Sequence, residues 1–94
     1  MSIHDAFYGY LAGQFADSDL AGQSDEQAAI DGLSPETCAA YDEVLKQGRI
    51  VLAASSFDWR KIGDLANRRF GNEREARRWL THMMDVLEKA LRKS

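Results

Sequence analysis

Apolar positions recur at steps of three and four along most of the chain and nowhere alternate over a long stretch. That is the spacing of helices rather than strands, and Val44, Val51 and Val86 are the only valines. Ile3, Phe7, Leu11 and Phe15 form the first stripe, with Tyr8 beside it. Gly9 and Gly13 weaken this helix by about 1 kcal/mol each relative to alanine, so it needs tertiary support. Ala16 to Gln23 reads as a loop. Ser24-Asp25-Glu26-Gln27 is a capping box, in which the serine oxygen accepts from the Gln27 amide while the glutamine reaches back. A short helix through Asp31 follows and stops at Gly32.

Ser34-Pro35 is expected to open a third helix, serine as N-cap and proline in the first turn, with Glu36 favourable to the dipole. Its inner stripe reads Cys38, Tyr41, Leu45 and Leu52, with Gly48 either carried through or ending it. Ile50 to Ala54 fits the last turns of that helix better than a short strand. Ser55-Ser56 is expected to cap a fourth helix with Trp59, Ile62, Leu65 and Ala66 inward, closed by Phe70 and a left-handed Gly71. Asn72, with Glu75 three residues later, starts the last helix. Its stripe runs Ala76, Trp79, Leu80, Met83, Leu87, Ala90 and Leu91. The expected fold is all-α, a small irregular bundle of about five helices in a single helical domain over residues 1–94.

Composition narrows the class. Of 94 residues, 45% are hydrophobic and 29% charged, an ordinary globular balance that argues against disorder throughout. No apolar run approaches the ~20 residues that span a bilayer. Met1 to Phe15 has no Lys or Arg and contains Asp5, unlike a signal peptide. The single cysteine, Cys38, excludes an intramolecular disulfide, so a cytoplasmic location is expected.

The net charge of −3 conceals a division. Residues 1–48 carry nine acids against one base, Lys46, a net of −8, whereas residues 49–94 carry eleven bases against six acids, a net of +5. The two halves either neutralise each other or leave an acidic face that steers a basic partner.

Little here suggests catalysis. Asp17-Ser18-Asp19 resembles the start of a calcium loop, but Ala21 and Ala28 stand where the fifth and twelfth ligands belong. His4, His82 and Cys38 are too scattered for a transition-metal site or a nucleophile pair. His82 reads as a boundary histidine and Cys38 as a small core residue. Asp25/Glu26 and Asp42/Glu43 are sequence neighbours, about 100° apart on a helix, and do not converge as an acid–base pair must. No glycine-rich phosphate loop is present. The chain reads as a non-enzyme without cofactor or metal.

Arg68, Arg69, Arg74, Arg77 and Arg78 surround the Phe70-Gly71 turn. Together with the Trp59–Ala66 segment they have the outline of a helix-turn-helix, and arginines there would grip phosphates. Glu73 and Glu75 lie among them, however, and Glu73–Arg77 and Glu75–Arg78 suit a salt-bridged solvated face. The acidic net balance also disfavours nucleic acid.

One resemblance covers most of the length. Tyr10-Leu11 leads to Phe15 and the following aspartates, then comes the acidic capped segment Ser24–Ala28. Glu36 through Leu45 forms a middle helix, and Trp79-Leu80 precedes Val86-Leu87 near the end. In this order of pieces the chain resembles the small immunity proteins of bacterial contact-dependent growth inhibition systems. The resemblance implies a cytoplasmic antidote that binds a cognate toxin domain, often a nuclease with a basic substrate surface, and covers its active site. The charge division agrees on its own terms, since an acidic half imitates phosphate charge. Asp17, Asp19, Asp25, Glu26, Asp31, Asp42 and Glu43 are then the expected partner contacts, with Tyr8, Tyr10 or Tyr41 as an aromatic anchor. The rival expectations are a small nucleic-acid-binding or regulatory protein using the arginine cluster, and a self-associating helical subunit.

Overall fold

A computed structural model describes residues 4–16, 18, 22–55 and 57–93. Ile3, Asp17, Asp19 and Ser56, each part of an expectation above, lie outside the described residues. Five helices follow in order: α1 (Asp5–Gln14), α2 (Asp25–Ile30), α3 (Cys38–Ala53), α4 (Trp59–Ala66) and α5 (Glu73–Lys93). Among the described residues there is no strand. The protein is all-α, a small bundle, as the apolar spacing predicts.

The long α5 is the spine, packing against α2, α3 and α4, while α1 packs against α3 and α4. Phe7, Leu11 and Phe15 from α1 and its C-cap are fully buried, as are Ile62, Leu80, Met83, Met84 and Leu87. The Phe15 ring meets Tyr10 and Trp79 edge-on, with centroids 5.6 and 5.0 Å away. Such pairs add about 0.5–1.5 kcal/mol each beyond the area they bury.

A six-residue helix is too short to stand alone, and α2 is held at both ends. The Ser24 hydroxyl accepts from the Gln27 amide at 3.2 Å, and the Gln27 side chain accepts from the Ser24 amide at 3.1 Å. At the other end, carbonyls of the last turn meet side-chain donors. Tyr10 donates to Ala29 at 2.6 Å, Gln14 to Ala28 and Asp31, and Tyr41 to Asp31. Gly32 then leaves the helix at φ +80°. Ser24→Ala is expected to lower the unfolding free energy by about 1 kcal/mol, read from urea melts as a lower midpoint with an unchanged slope.

Four local expectations need correction. Ser34-Pro35 does not open α3: the Thr37 hydroxyl accepts from the Ser34 amide at 2.8 Å and donates to the Gly32 carbonyl at 2.9 Å. With the Thr37 amide on the Ser34 carbonyl, residues 34–37 close as a separate turn and the helix begins at Cys38. The buried line of α3 is Val44, Gly48 and Val51, with Tyr41, Leu45 and Leu52 half-buried along one flank. Asp58, not the serines, caps α4, its carboxylate accepting from the Lys61 amide at 3.2 Å. Finally, α4 ends at Asn67, not Gly71. Asn67 takes the left-handed conformation at φ 55°, the Asn67 amide donates to Asp64 and the Arg68 amide to Gly63. This is a Schellman closure, and asparagine tolerates its left-handed position.

The start of α5 matches its sequence signal. Asn72 Oδ1 accepts from the Glu75 amide at 3.0 Å, while Glu75 accepts from the Gly71 amide at 2.7 Å. Glu75 therefore serves the cap, and Glu73 is the acid that pairs with Arg77, at 3.5 Å.

Candidate functional site

Among the described residues the expected acidic contacts separate into two groups. Asp25 and Glu26 open α2 beside α5. Asp25 Oδ1 accepts from Arg68 Nη2 at 2.5 Å and Oδ2 from the Trp79 indole at 2.8 Å. Burial pushes this carboxyl up, but the two hydrogen bonds and the Arg68 charge outweigh it and hold the group below the ordinary carboxylate range. Glu26 is exposed and faces His82 Nε2 at 3.0 Å. Its own backbone amide and then His82 lower its pKa. These two acids therefore tie the acidic half to the basic half.

The second group looks outward. Asp31, Asp42 and Glu43 are exposed on the α2–α3 turn and the first turns of α3, together with Glu36. The Asp31 carbonyl is occupied by Tyr41 and Gln14, which fixes the backbone and leaves the carboxylate at the surface. Asp42 has Lys46 at 3.3 Å, with both side chains more than half exposed. Such a surface pair is worth at most about 1 kcal/mol. Glu43 accepts from Gln47 Nε2 at 3.1 Å, and Gln47 Oε1 in turn accepts from the Phe7 amide at 3.0 Å. Glu43 thereby orients the glutamine that caps the first turn of α1. Asp17 and Asp19 lie outside the described residues.

Among the tyrosines, Tyr10 is in the core with its hydroxyl on Ala29, and burial followed by the nearby Tyr41 raises its pKa strongly. It is not available to a partner. Tyr8 is half-buried under the Lys61 ammonium, 4.1 Å from its ring centroid, and Tyr41 is half-buried against Tyr10. Two apolar residues that helical spacing does not single out stand at the surface: Ile30 at the end of α2, 38% exposed, and Ile50 on the outer side of α3, 57% exposed.

The arginine cluster is divided by the fold. Arg68 turns inward, donating also to Ser18 Oγ at 2.8 Å and to the Ala66 carbonyl at 3.1 Å. Arg77 donates to the Leu52 and Ala54 carbonyls at 2.6 and 3.2 Å, closing the end of α3, with its guanidinium 4.4 Å over the Phe57 ring. Only Arg69, Arg74 and Arg78 of the five are exposed. No sequence-local pattern announces Arg77 as a cap for a helix that ended more than twenty residues earlier.

His82 is exposed at the edge of α5, as a boundary residue should be, and Cys38 is half-buried at the start of α3 rather than in the core proper. No helix among the described residues is long and apolar enough to cross a membrane. Comparison of the chain with known protein families, with curated proteins and with solved structures found no match.

Proposed function

We propose that this protein is a stoichiometric inhibitor, an antidote that binds a cognate toxin domain and covers its basic, nuclease-type active surface. The observation that carries the reading is the separation of the acids: Asp25 is committed to the interior seam, whereas Asp31, Glu36, Asp42 and Glu43 are exposed. An outward anionic face of this density raises the encounter rate with a cationic surface. Ile50, on the outer side of the same helix, supplies an apolar contact that carboxylates alone lack. The resemblance to immunity proteins points to the same class of partner.

The test is binding to the C-terminal domain encoded by the gene immediately upstream. A tight one-to-one complex is expected, with an association rate that falls as salt is added. Reversing three charges together, in Asp31→Lys/Asp42→Lys/Glu43→Lys, is expected to weaken binding at least about 100-fold, with the helical signal and melting temperature little changed. A complex indifferent to these three charges, or an upstream product that binds nothing, would sink the proposal.

A further inference from the structure

The Schellman closure at Asn67 turns the chain back on α4 and opens a cleft of about 400 Å³ between that helix and residues 68–70. One wall is Trp59, one helical turn before Gly63; the other is Phe70. Gly63 is what lets the linker lie so close. A Cβ there would stand 2.8 Å from the Arg68 carbonyl oxygen and 3.4 Å from the Phe70 ring. Phe70 is held from behind by Trp79, with ring centroids 5.5 Å apart, so the wall is backed by the core.

The rim is cationic. The Arg60 guanidinium lies over the Trp59 ring, 5.1 Å from its centroid, and Arg69 lines the cleft from the linker side. Both are exposed, and among the described residues neither forms an ion pair. Asp64 is the one carboxylate in the lining. The antidote reading makes no use of this side of the molecule.

We propose that this cleft binds a nucleoside phosphate, the base stacked between Trp59 and Phe70 and the phosphate held by Arg60 and Arg69. Two aromatic walls favour a flat group, and base–aromatic stacking needs no particular sequence. Two guanidiniums at the rim favour an anion, and arginine suits phosphate geometry. The volume is in the range of small-molecule sites. Asp64 opposes the phosphate but accepts from an amino group, so it faces the donor edge of a base such as guanine. Of the arginine cluster around the Phe70-Gly71 turn this keeps Arg69 alone for phosphate and adds Arg60 of α4.

Calorimetric titration with guanosine 5′-monophosphate, guanosine, ribose 5-phosphate and a short single-stranded RNA tests the site. The monophosphate is expected to bind saturably at one site, with guanosine and ribose 5-phosphate each at least about tenfold weaker. Arg60→Ala and Arg69→Ala should each cost about tenfold, while Arg78→Ala changes nothing. Quenching of indole fluorescence by the monophosphate should disappear in Trp59→Phe although the heat of binding persists. RNA that binds no tighter than the monophosphate identifies a free nucleotide as occupant. RNA that binds at least about tenfold tighter, with steep salt dependence, identifies a strand. No saturable binding of any phosphate, or an equal loss from Arg78→Ala, overturns the proposal. Either failure leaves the antidote reading standing, because its test uses different residues and a protein ligand.

Discussion

Gly48→Leu is expected to remove a large part of the folding stability, about 3 kcal/mol or more, seen as a marked fall of the urea midpoint. Gly48 is buried in the middle of α3, where a lone Cβ would already stand 2.5 Å from Met84 Sδ and 3.3 Å from Phe7 Cε1. Phe7 and Met84 are both fully buried and have no empty space to enter. A glycine here costs about 1 kcal/mol of helix propensity, and close approach of α3 to α1 and α5 is what offsets it. A domain of this size has about 5–10 kcal/mol in total, so the loss is felt across the whole bundle. Gly48→Ala separates the two effects. Alone it should cost about 1 kcal/mol, because overpacking exceeds the gain in propensity. In a Met84→Ala background the same change should become stabilising, since the sulfur is gone and the propensity gain remains. A native-like midpoint for Gly48→Leu would mean that the helices do not meet at this glycine.

The same glycine explains where sequence reading succeeds and stops. Signals confined to four or five residues were legible: the Ser24–Gln27 box and the Asn72 cap form as their spacing dictates. So was the apolar line of α5, apart from Met84, which is buried because α3 presents a hydrogen atom opposite it. Hydropathy places the inner face of α3 at Tyr41, Leu45 and Leu52, yet the packed line is Val44, Gly48 and Val51. A residue without a side chain carries no hydrophobic signal. The end of α4 escapes the same signals for a related reason, since the left-handed position falls to Asn67 and glycine is not required.

Charges were countable in the sequence, but their pairing was not. Nothing local links Asp25 to an arginine 43 positions away, and nothing shows that Arg77 closes α3. The expected acidic contacts are therefore one set in sequence and, among the described residues, two in space. The exposed set is the one on which the proposed inhibitor surface rests.

Arg68→Ala is expected to cost about 2–4 kcal/mol at neutral pH and to cost less in acid. Arg68 is 14% exposed at its side chain and Asp25 31%, so removing one leaves the other partly desolvated and short of a partner. The folded-state pKa of Asp25 is depressed. Its contribution is therefore complete above the unfolded carboxyl value, near 4, and is lost as pH falls through the lower folded value. In Arg68→Ala the Trp79 indole alone opposes burial, and the carboxyl moves upward. Acidification then protonates a group the fold prefers neutral, so the gap between wild type and variant should narrow below about pH 4. Urea melts from pH 7 to 3 measure that gap directly. Asp25→Asn keeps the shape and removes the charge, and in that background Arg68→Ala should cost clearly less, the difference being the coupling between the two. A pH-independent gap, or zero coupling, would mean that the seam is not held by this pair. The same reasoning bears on function: reversing Asp25 would weaken the fold itself, so only the outward acids can report on a partner.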